Sequence, residues 1–468
     1  MRAAVALLLA AALPLSAENP KKADAMTLPE DLPALLPEKP LPSPDVVSLT
    51  LPSGLVVQVV RKDGVPLVSV RLVVKGGLSD DAPSEPGFAQ LLADALKEGT
   101  AGRNGPVLAT AVQGAGGDLV TAALPDSLTI GVSGLAGKTP LLLDVVADVA
   151  RRASFPAEGV ARVKALAHER LETEESDPFF VAARAFAKGL YGGHPYGVIA
   201  PTADSIDAVT SGRLLTESRR RLRPERSLLL VVGAVDPVSV TAEVKRLFGS
   251  WKGSGEAPPP APEAKPPAGP RRIEILDRPG SVQTVLVVGL LGPLRTSADA
   301  GALELAMTMY GGAFTSRLVQ NLREEKGYTY SPGAGVRWLA ARGTVRSRAA
   351  VRNDVTGASL GEIFYEMTRM ATTEPTDEEM ERSRRVFAGL KAISLQTGPG
   401  LADELSRLWV LGLPPSEIGL TTETLAKVTK ADVKRVSKRY LASSRALVVA
   451  VGDAAKVREE LAPLGAAE

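Results

Sequence analysis

Only two imidazoles, His168 and His194, and no thiol are available for chemistry along this 468-residue chain. The lack of cysteine removes disulfides, thiolate nucleophiles, iron–sulfur clusters and cysteine-ligated zinc. Two histidines cannot build a three-histidine zinc site within one chain. A serine triad or a His–His–Glu site would have to use one or both of them. Neither stands four residues from another histidine, so their spacing reads as surface or structural. Carboxylates such as Asp80, Asp81 and Asp94 offer another route to hydrolysis, but Asp80-Asp81 reads as a loop.

Other motifs fall short on spacing. Gly134 to Thr139 ends in Gly-Lys-Thr but lacks the glycine five positions before Gly137 that a phosphate loop needs, and reads as a turn between two elements. Gly114-Ala115-Gly116-Gly117 lacks the dinucleotide fingerprint and reads as a tight turn. No G-x-S-x-G elbow occurs. The basic run Arg219-Arg220-Arg221-Leu222-Arg223 precedes Pro224 at a helix end, and with a net charge of +2 it reads as a solvated face. No nucleic-acid partner is expected.

The elements that would position such residues fall into two halves. Arg2, the thirteen-residue apolar stretch Ala3 to Leu15 and Leu15-Ser16-Ala17 form a secretion signal over 1–17, so the mature chain is expected to be exported, periplasmic or secreted. The stretch is too short to span a bilayer, and no membrane insertion of the mature chain is expected; a buried helix of the fold is the other reading. Prolines cluster over 18–45, an extended lead-in, and over 251–270, a semi-rigid linker. These divide the chain into an N-terminal domain, 46–250, and a C-terminal domain, 271–468.

The halves repeat each other. Ile206-x-x-Val209-Thr210 recurs as Leu425-x-x-Val428-Thr429, Arg226-x-Leu228 as Arg445-x-Leu447, and Gly233 as Gly452, every pair 219 residues apart. A constant offset points to duplication of one domain. Strands are expected at Leu55–Val60 and Val68–Val74, joined as a hairpin through Lys62-Asp63-Gly64. Others are expected within Leu119–Leu135 and at Gln283–Leu290 and Gly343–Val351. Phe88–Leu96 reads as a buried helix, and Thr376 with Glu379 as the capping box of a helix running to about Gln396. The class is α+β: two similar domains from a duplication, each a mostly antiparallel sheet packed by helices, joined by the proline-rich linker.

One segment carries more. Gly87-Phe88-Ala89-Gln90-Leu91-Leu92-Ala93-Asp94-Ala95-Leu96-Lys97-Glu98-Gly99-Thr100 resembles the zinc helix of the pitrilysin/insulinase-type peptidases, the inverzincins. That helix carries H-x-x-E-H, two histidines for zinc and a glutamate as general base. By this resemblance Gln90 and Asp94 stand at the histidine positions, Ala93 at the glutamate, and Arg170, beside Glu169, at the third ligand. Alanine cannot take a proton from water, and a Gln–Asp pair without imidazole is a poor zinc site.

In the second half, Gly311-Gly312-Ala313-Phe314-Thr315-Ser316-Arg317-Leu318 and Leu322-Arg323-Glu324-Glu325-Lys326-Gly327-Tyr328-Thr329-Tyr330-Ser331 resemble the family's G-G-x-x-S-R-L…L-R-E-x-x-G-x-x-Y-S stretch. The resemblance makes Arg323 and Tyr330 the pair that binds the substrate carbonyl and the tetrahedral oxyanion. Their chemistry suits that role: a guanidinium fork for carbonyl oxygens and a neutral hydroxyl donor for an oxyanion.

The resemblance implies a clam-like chain and a non-catalytic subunit of an exported heterodimeric zinc metallopeptidase. Its Arg323 and Tyr330 would act in trans in the site of a homologous zinc-bearing partner. No cofactor is expected in this chain, zinc belongs to the partner, and peptide substrate adds to a sheet edge there. The alternative is a proteolytically inactive peptide-binding or scaffold protein, possibly homodimeric.

Overall fold

The computed structural model describes residues 39–467; the expected signal, 1–17, and most of the lead-in lie outside the described residues. Twelve strands are described: β1 Val46–Thr50, β2 Val56–Arg61, β3 Leu67–Lys75, β4 Leu119–Ala123, β5 Ser127–Leu135, β6 Ser227–Gly233, β7 Arg272–Asp277, β8 Gln283–Leu291, β9 Gly333–Arg337, β10 Thr344–Arg352, β11 Leu447–Gly452 and β12 Ala466–Ala467. They form two six-stranded sheets, ordered β1-β2-β6-β3-β5-β4 and β12-β7-β11-β8-β10-β9. The second order repeats the first: β7, β11, β8, β10 and β9 take the places of β2, β6, β3, β5 and β4. Each sheet has one parallel pair among these strands, β2 with β6 and β7 with β11, and the other pairs are antiparallel. The duplication read from the 219-residue offset is therefore a duplication of topology.

The expected hairpin between β2 and β3 does not form. Both strands are buried along most of their length, and β6 inserts between them, parallel to β2 and antiparallel to β3. Strands apolar on both faces need neighbours on both edges, and a turn signal such as Lys62-Asp63-Gly64 fixes only a change of direction. The hairpin of this region is β1 with β2, closed by Leu51-Pro52-Ser53-Gly54 with Gly54 at φ 88. The other expected strands form, and Thr376 with Glu379 closes the expected capping box on the helix Asp377–Leu395.

One face of each sheet packs against helices of its own half. In the first half these include Phe88–Ala95 and Thr139–Arg152, around Leu72, Ile130, Leu142 and Val231; in the second they include Ala300–Met307 and Thr356–Thr372, around Leu286, Val288, Leu303 and Val448. The opposite faces are covered by exchange. Helix Pro178–Tyr191 from the first half lays Ala182, Phe186 and Leu190 on Val285, Val287 and Val449 of the second sheet. Helix Gly398–Val410 from the second half lays Leu401, Leu405 and Leu408 on Val60, Val73 and Leu230 of the first.

Residues 251–270 carry no regular helix or strand, as their prolines require. They are nonetheless tied down: Arg226 donates to the Pro258 carbonyl, His194 Nε2 lies 2.8 Å from the Pro262 carbonyl oxygen, and Ala264 N–H donates to Ala341. Tyr196 N–H donates to His194 Nδ1, which leaves Nε2–H to donate to Pro262. His168 Nε2 lies 2.9 Å from Asp207 Oδ1 on the surface. Among the described residues no helix is long and apolar enough to cross a membrane.

Candidate functional site

The helix Phe88–Ala95 begins where Gly87 adopts a left-handed φ of 74, and a Cβ there would overlap Pro201. Only glycine admits both the turn and the approach. Gln90 and Asp94, four residues apart, share the outward side, while Ala93 is 1% exposed. Arg170 reaches over from the long helix Ala157–Ser176 and donates to Asp94 Oδ2 at 2.5 Å. Gln90, Arg170 and Glu174 then line only a shallow pit with Leu91, Ala167, Leu171 and Pro201. The three residues that would stand as ligands are thus brought together, with Arg170 and Asp94 bound to each other.

Zinc does not fit this arrangement. The three positions offer one amide, one carboxylate already engaged by a guanidinium, and that guanidinium, which cannot ligate a cation. Among the described residues no cluster of three or more His, Asp or Glu could hold a metal ion.

The N-terminus of this helix is held by a charge network that sequence reading misassigned. Asp80 and Asp81 lie at the end of the 3-10 turn Leu78–Asp80, and both are buried. Asp81 accepts from Ala89 N–H and pairs with Arg221 at 2.8 Å, while Asp80 pairs with Arg226. Arg221 is 4% exposed, pairs also with Glu217, and stacks over Phe88 beside Arg213. Only Arg219 of the basic run is a freely solvated side chain; Arg220 pairs with Glu217 and Arg223 with Glu225. Burial pushes the Asp81 carboxyl up to about 6 against the pull of Arg221. The sequence showed acids and arginines at opposite ends of the first half, and nothing local to pair them.

The second-half pair is built differently. Arg323 sits on the π-helical turn Val319–Glu325, and Gly327, at φ 63, ends it. Tyr330 follows at a bend three residues before β9. The Arg323 guanidinium lies 4.5 Å from the Tyr330 ring centre and 4.9 Å from that of Phe314, with Nε 3.2 Å from Glu324. Tyr330 is 79% exposed and Phe314 62%. Two exposed rings thus hold one cation between them, each contact worth about 0.5–1 kcal/mol at such sites.

The flanking residues anchor this cluster. Arg317 makes a two-pronged pair with Glu379, the capping-box residue, and Asn321 donates to Glu362 and Glu366. Gly311 lets the preceding turn press against Ala334 of β9, where a Cβ would collide. Phe314 is a site residue that motif reading quoted but gave no role. Its signal was an exposed-type aromatic nine residues before an arginine in a stretch otherwise made of small residues.

The two groups are separate. Among the described residues no hydrogen bond, ion pair or ring contact joins Gln90, Asp94 or Arg170 to Arg323 or Tyr330. A cleft of about 540 Å³ between the halves, walled by Arg71, Val120, Leu124, Trp338 and Val410, is lined by neither.

Residues 56–197 match the model of the insulinase peptidases, family M16, and residues 209–387 that of the peptidase M16 inactive domain. An uncharacterized zinc protease of Mycobacterium tuberculosis is 28% identical over 402 residues, 84% of this chain and 90% of its own. One of Streptomyces coelicolor is 24% identical, over 86% and 88%. A crystal structure of a peptidase M16 inactive domain from Pseudomonas fluorescens superposes with a TM-score of 0.80 at 25% identity, covering 87% of this chain and 98% of that one.

Proposed function

This chain belongs to peptidase family M16, the insulinase family, and we propose that within it the chain is the non-catalytic subunit of an exported, heterodimeric zinc metallopeptidase. The observation that carries the reading is a contrast. By this reading the position of the metal is filled by the Arg170–Asp94 pair, whereas Tyr330 stands exposed with the half-buried Arg323 stacked on it, and among the described residues Arg323 pairs with no acid beyond Glu324. A fold that had only to persist would have no need to hold an oxyanion donor pair open to solvent.

In the proposed complex the partner brings H-x-x-E-H, its zinc and the general base. This chain brings two donors. Arg323 N–H groups and the Tyr330 hydroxyl donate to the carbonyl oxygen of the scissile peptide. Both bonds strengthen as that oxygen takes up negative charge, which is how such donors lower a barrier. The ring on either side of Arg323 fixes the guanidinium before substrate arrives, so little reorganisation is left for the transition state.

The test is to co-express the chain with an exported H-x-x-E-H chain encoded beside it and assay peptide hydrolysis. Tyr330→Phe and Arg323→Ala are each expected to lower kcat by roughly 100-fold or more, the usual effect of losing one oxyanion donor. Full activity in both variants would remove the shared-site model.

A further inference from the structure

The face of the second sheet beside Tyr330 carries an unusual set of side chains. Arg346 and Arg348 alternate on β10, and Arg337 on β9 lies opposite Thr344, diagonal to Arg346. Residues opposite one another in an antiparallel ladder point to the same face, so the three guanidinium groups share one side. That side is the one on which Val285 and Val287 receive the exchanged helix, because Arg348 stands opposite Val287 and Ala350 opposite Val285. Opposite Arg348 and Arg346 on β9 are Gly333 and Gly335, around which a Cβ would meet almost nothing; Arg337 and Arg348 are exposed, and Arg346 between them is half-buried.

None of the three makes a hydrogen bond or ion pair within the described residues. The charge whose field reaches Arg337 is Asp126, and its two oxygens are already taken by the Tyr196 hydroxyl and Ala340 N–H. Burial, and then the charges of Arg337 and Arg348, pull the Arg346 pKa below its ordinary value, so the three guanidinium groups lie close enough to repel one another. The fold does not require it. The corresponding face of β5 in the first sheet carries Ser127, Thr129, Gly131 and Ser133, with no charge.

Beside the arginines, β9 is the edge strand of its sheet, pairing only with β10. The segment leading into it is that of Tyr330, and Thr329 donates to Ala350, two residues along β10 from Arg348. We propose that the β9 edge and the Arg337–Arg346–Arg348 face form a subsite for an extended acidic peptide, with Asp or Glu at alternate positions. It rests on the reading that the second half meets peptide substrate, and it names that substrate's chemistry. A strand added to β9 would repeat every second side chain on the arginine face, about 7 Å apart, which is the spacing of Arg346 and Arg348 along β10. Carboxylates are the side chains a guanidinium fork pairs with best. A peptide is favoured over a nucleic acid because the free edge offers backbone donors and acceptors that phosphates would leave unused.

The test measures binding of fluorescent eight-residue peptides to the full chain by anisotropy, without any partner, so its outcome is independent of the hydrolysis assay. A peptide with Glu at alternate positions is expected to bind roughly tenfold more tightly than its Gln counterpart at low salt, from two or three partly exposed pairs. Adding 0.5 M salt should erase that margin. Arg346→Gln/Arg348→Gln should abolish the preference, and Arg346→Glu/Arg348→Glu should transfer it to the Lys peptide, which a misfolded variant could not do. Equal binding of the Glu and Gln peptides would overturn the proposal, as would a preference that survives the double substitution. An eight-nucleotide oligo-dT binding as well as the Glu peptide, with backbone N-methylation of that peptide having no effect, would overturn the peptide assignment.

Discussion

At the scale of single residues, the proposal rests on the Arg170–Asp94 salt bridge at the zinc-helix positions and on the stacked Arg323 and Tyr330. The sequence revealed both positions, because each stands in a framework of glycine and apolar residues that the family shares. What it could not show is that Arg170 and Asp94 would find each other, since 76 residues separate them, or that Phe314 would complete the stack on Arg323. The stack predicts a measurable effect. Phe314→Ala removes one of two rings holding the guanidinium and should lower kcat of the assembled enzyme by roughly five- to tenfold, about 1 kcal/mol of positioning. Its KM should stay within twofold. Steady-state kinetics on the co-expressed pair would show it, and an unchanged kcat would mean the ring positions nothing.

At the scale of elements, the signals that held were periodic and local: buried apolar strand runs, the capping box at Thr376, and glycines at turns. Those that failed concerned partners. The β2–β3 turn looked like a hairpin because nothing in Lys62-Asp63-Gly64 announces that β6, which begins 166 residues after β2 ends, will slot between. The basic run before Pro224 looked solvated because Asp81, which with Glu217 pairs the buried Arg221, comes from the other end of the half. The exchanged helices were equally invisible, and they make the sharpest prediction at this scale. Phe186 is buried from one half into the sheet of the other. Phe186→Ala should cost about 3–5 kcal/mol, as large-to-small changes in well-packed cores do. Urea unfolding should remain a single transition, since neither sheet keeps its second cover without the other half. Two separated transitions in the unsubstituted chain would contradict this.

At the scale of the whole molecule, buried and half-buried carboxylates tie distant segments together and set how the fold responds to acid. A hydrogen bond from Arg213 holds Glu85 below the usual carboxylate range. Burial pushes Glu379 and Glu404 up, but Arg317 for the first and Arg407 with Lys391 for the second more than reverse it. Groups depressed in the folded state contribute stability that is present above their ordinary value and lost as pH falls through the folded one. Asp80, Asp81 and Asp126 run the other way, raised by burial, so their contribution is complete below the ordinary value and lost as pH rises, for Asp81 through about 6. The two trends together predict a melting temperature that rises modestly from pH 7.5 to about 5.5 and falls steeply below about 4. A steady decline from pH 7.5 downward would show that the raised group is absent.

The central claim is that this member of the family lacks its own metal chemistry and lends donors to another chain. The most direct measurement is zinc content together with peptide hydrolysis, first on the purified chain alone and then on the co-purified pair. The account predicts far less than one zinc per chain and no hydrolysis for the chain alone, and one zinc per heterodimer with hydrolysis that depends on Arg323 for the pair. Tightly bound equimolar zinc with peptidase activity in the isolated chain would contradict it.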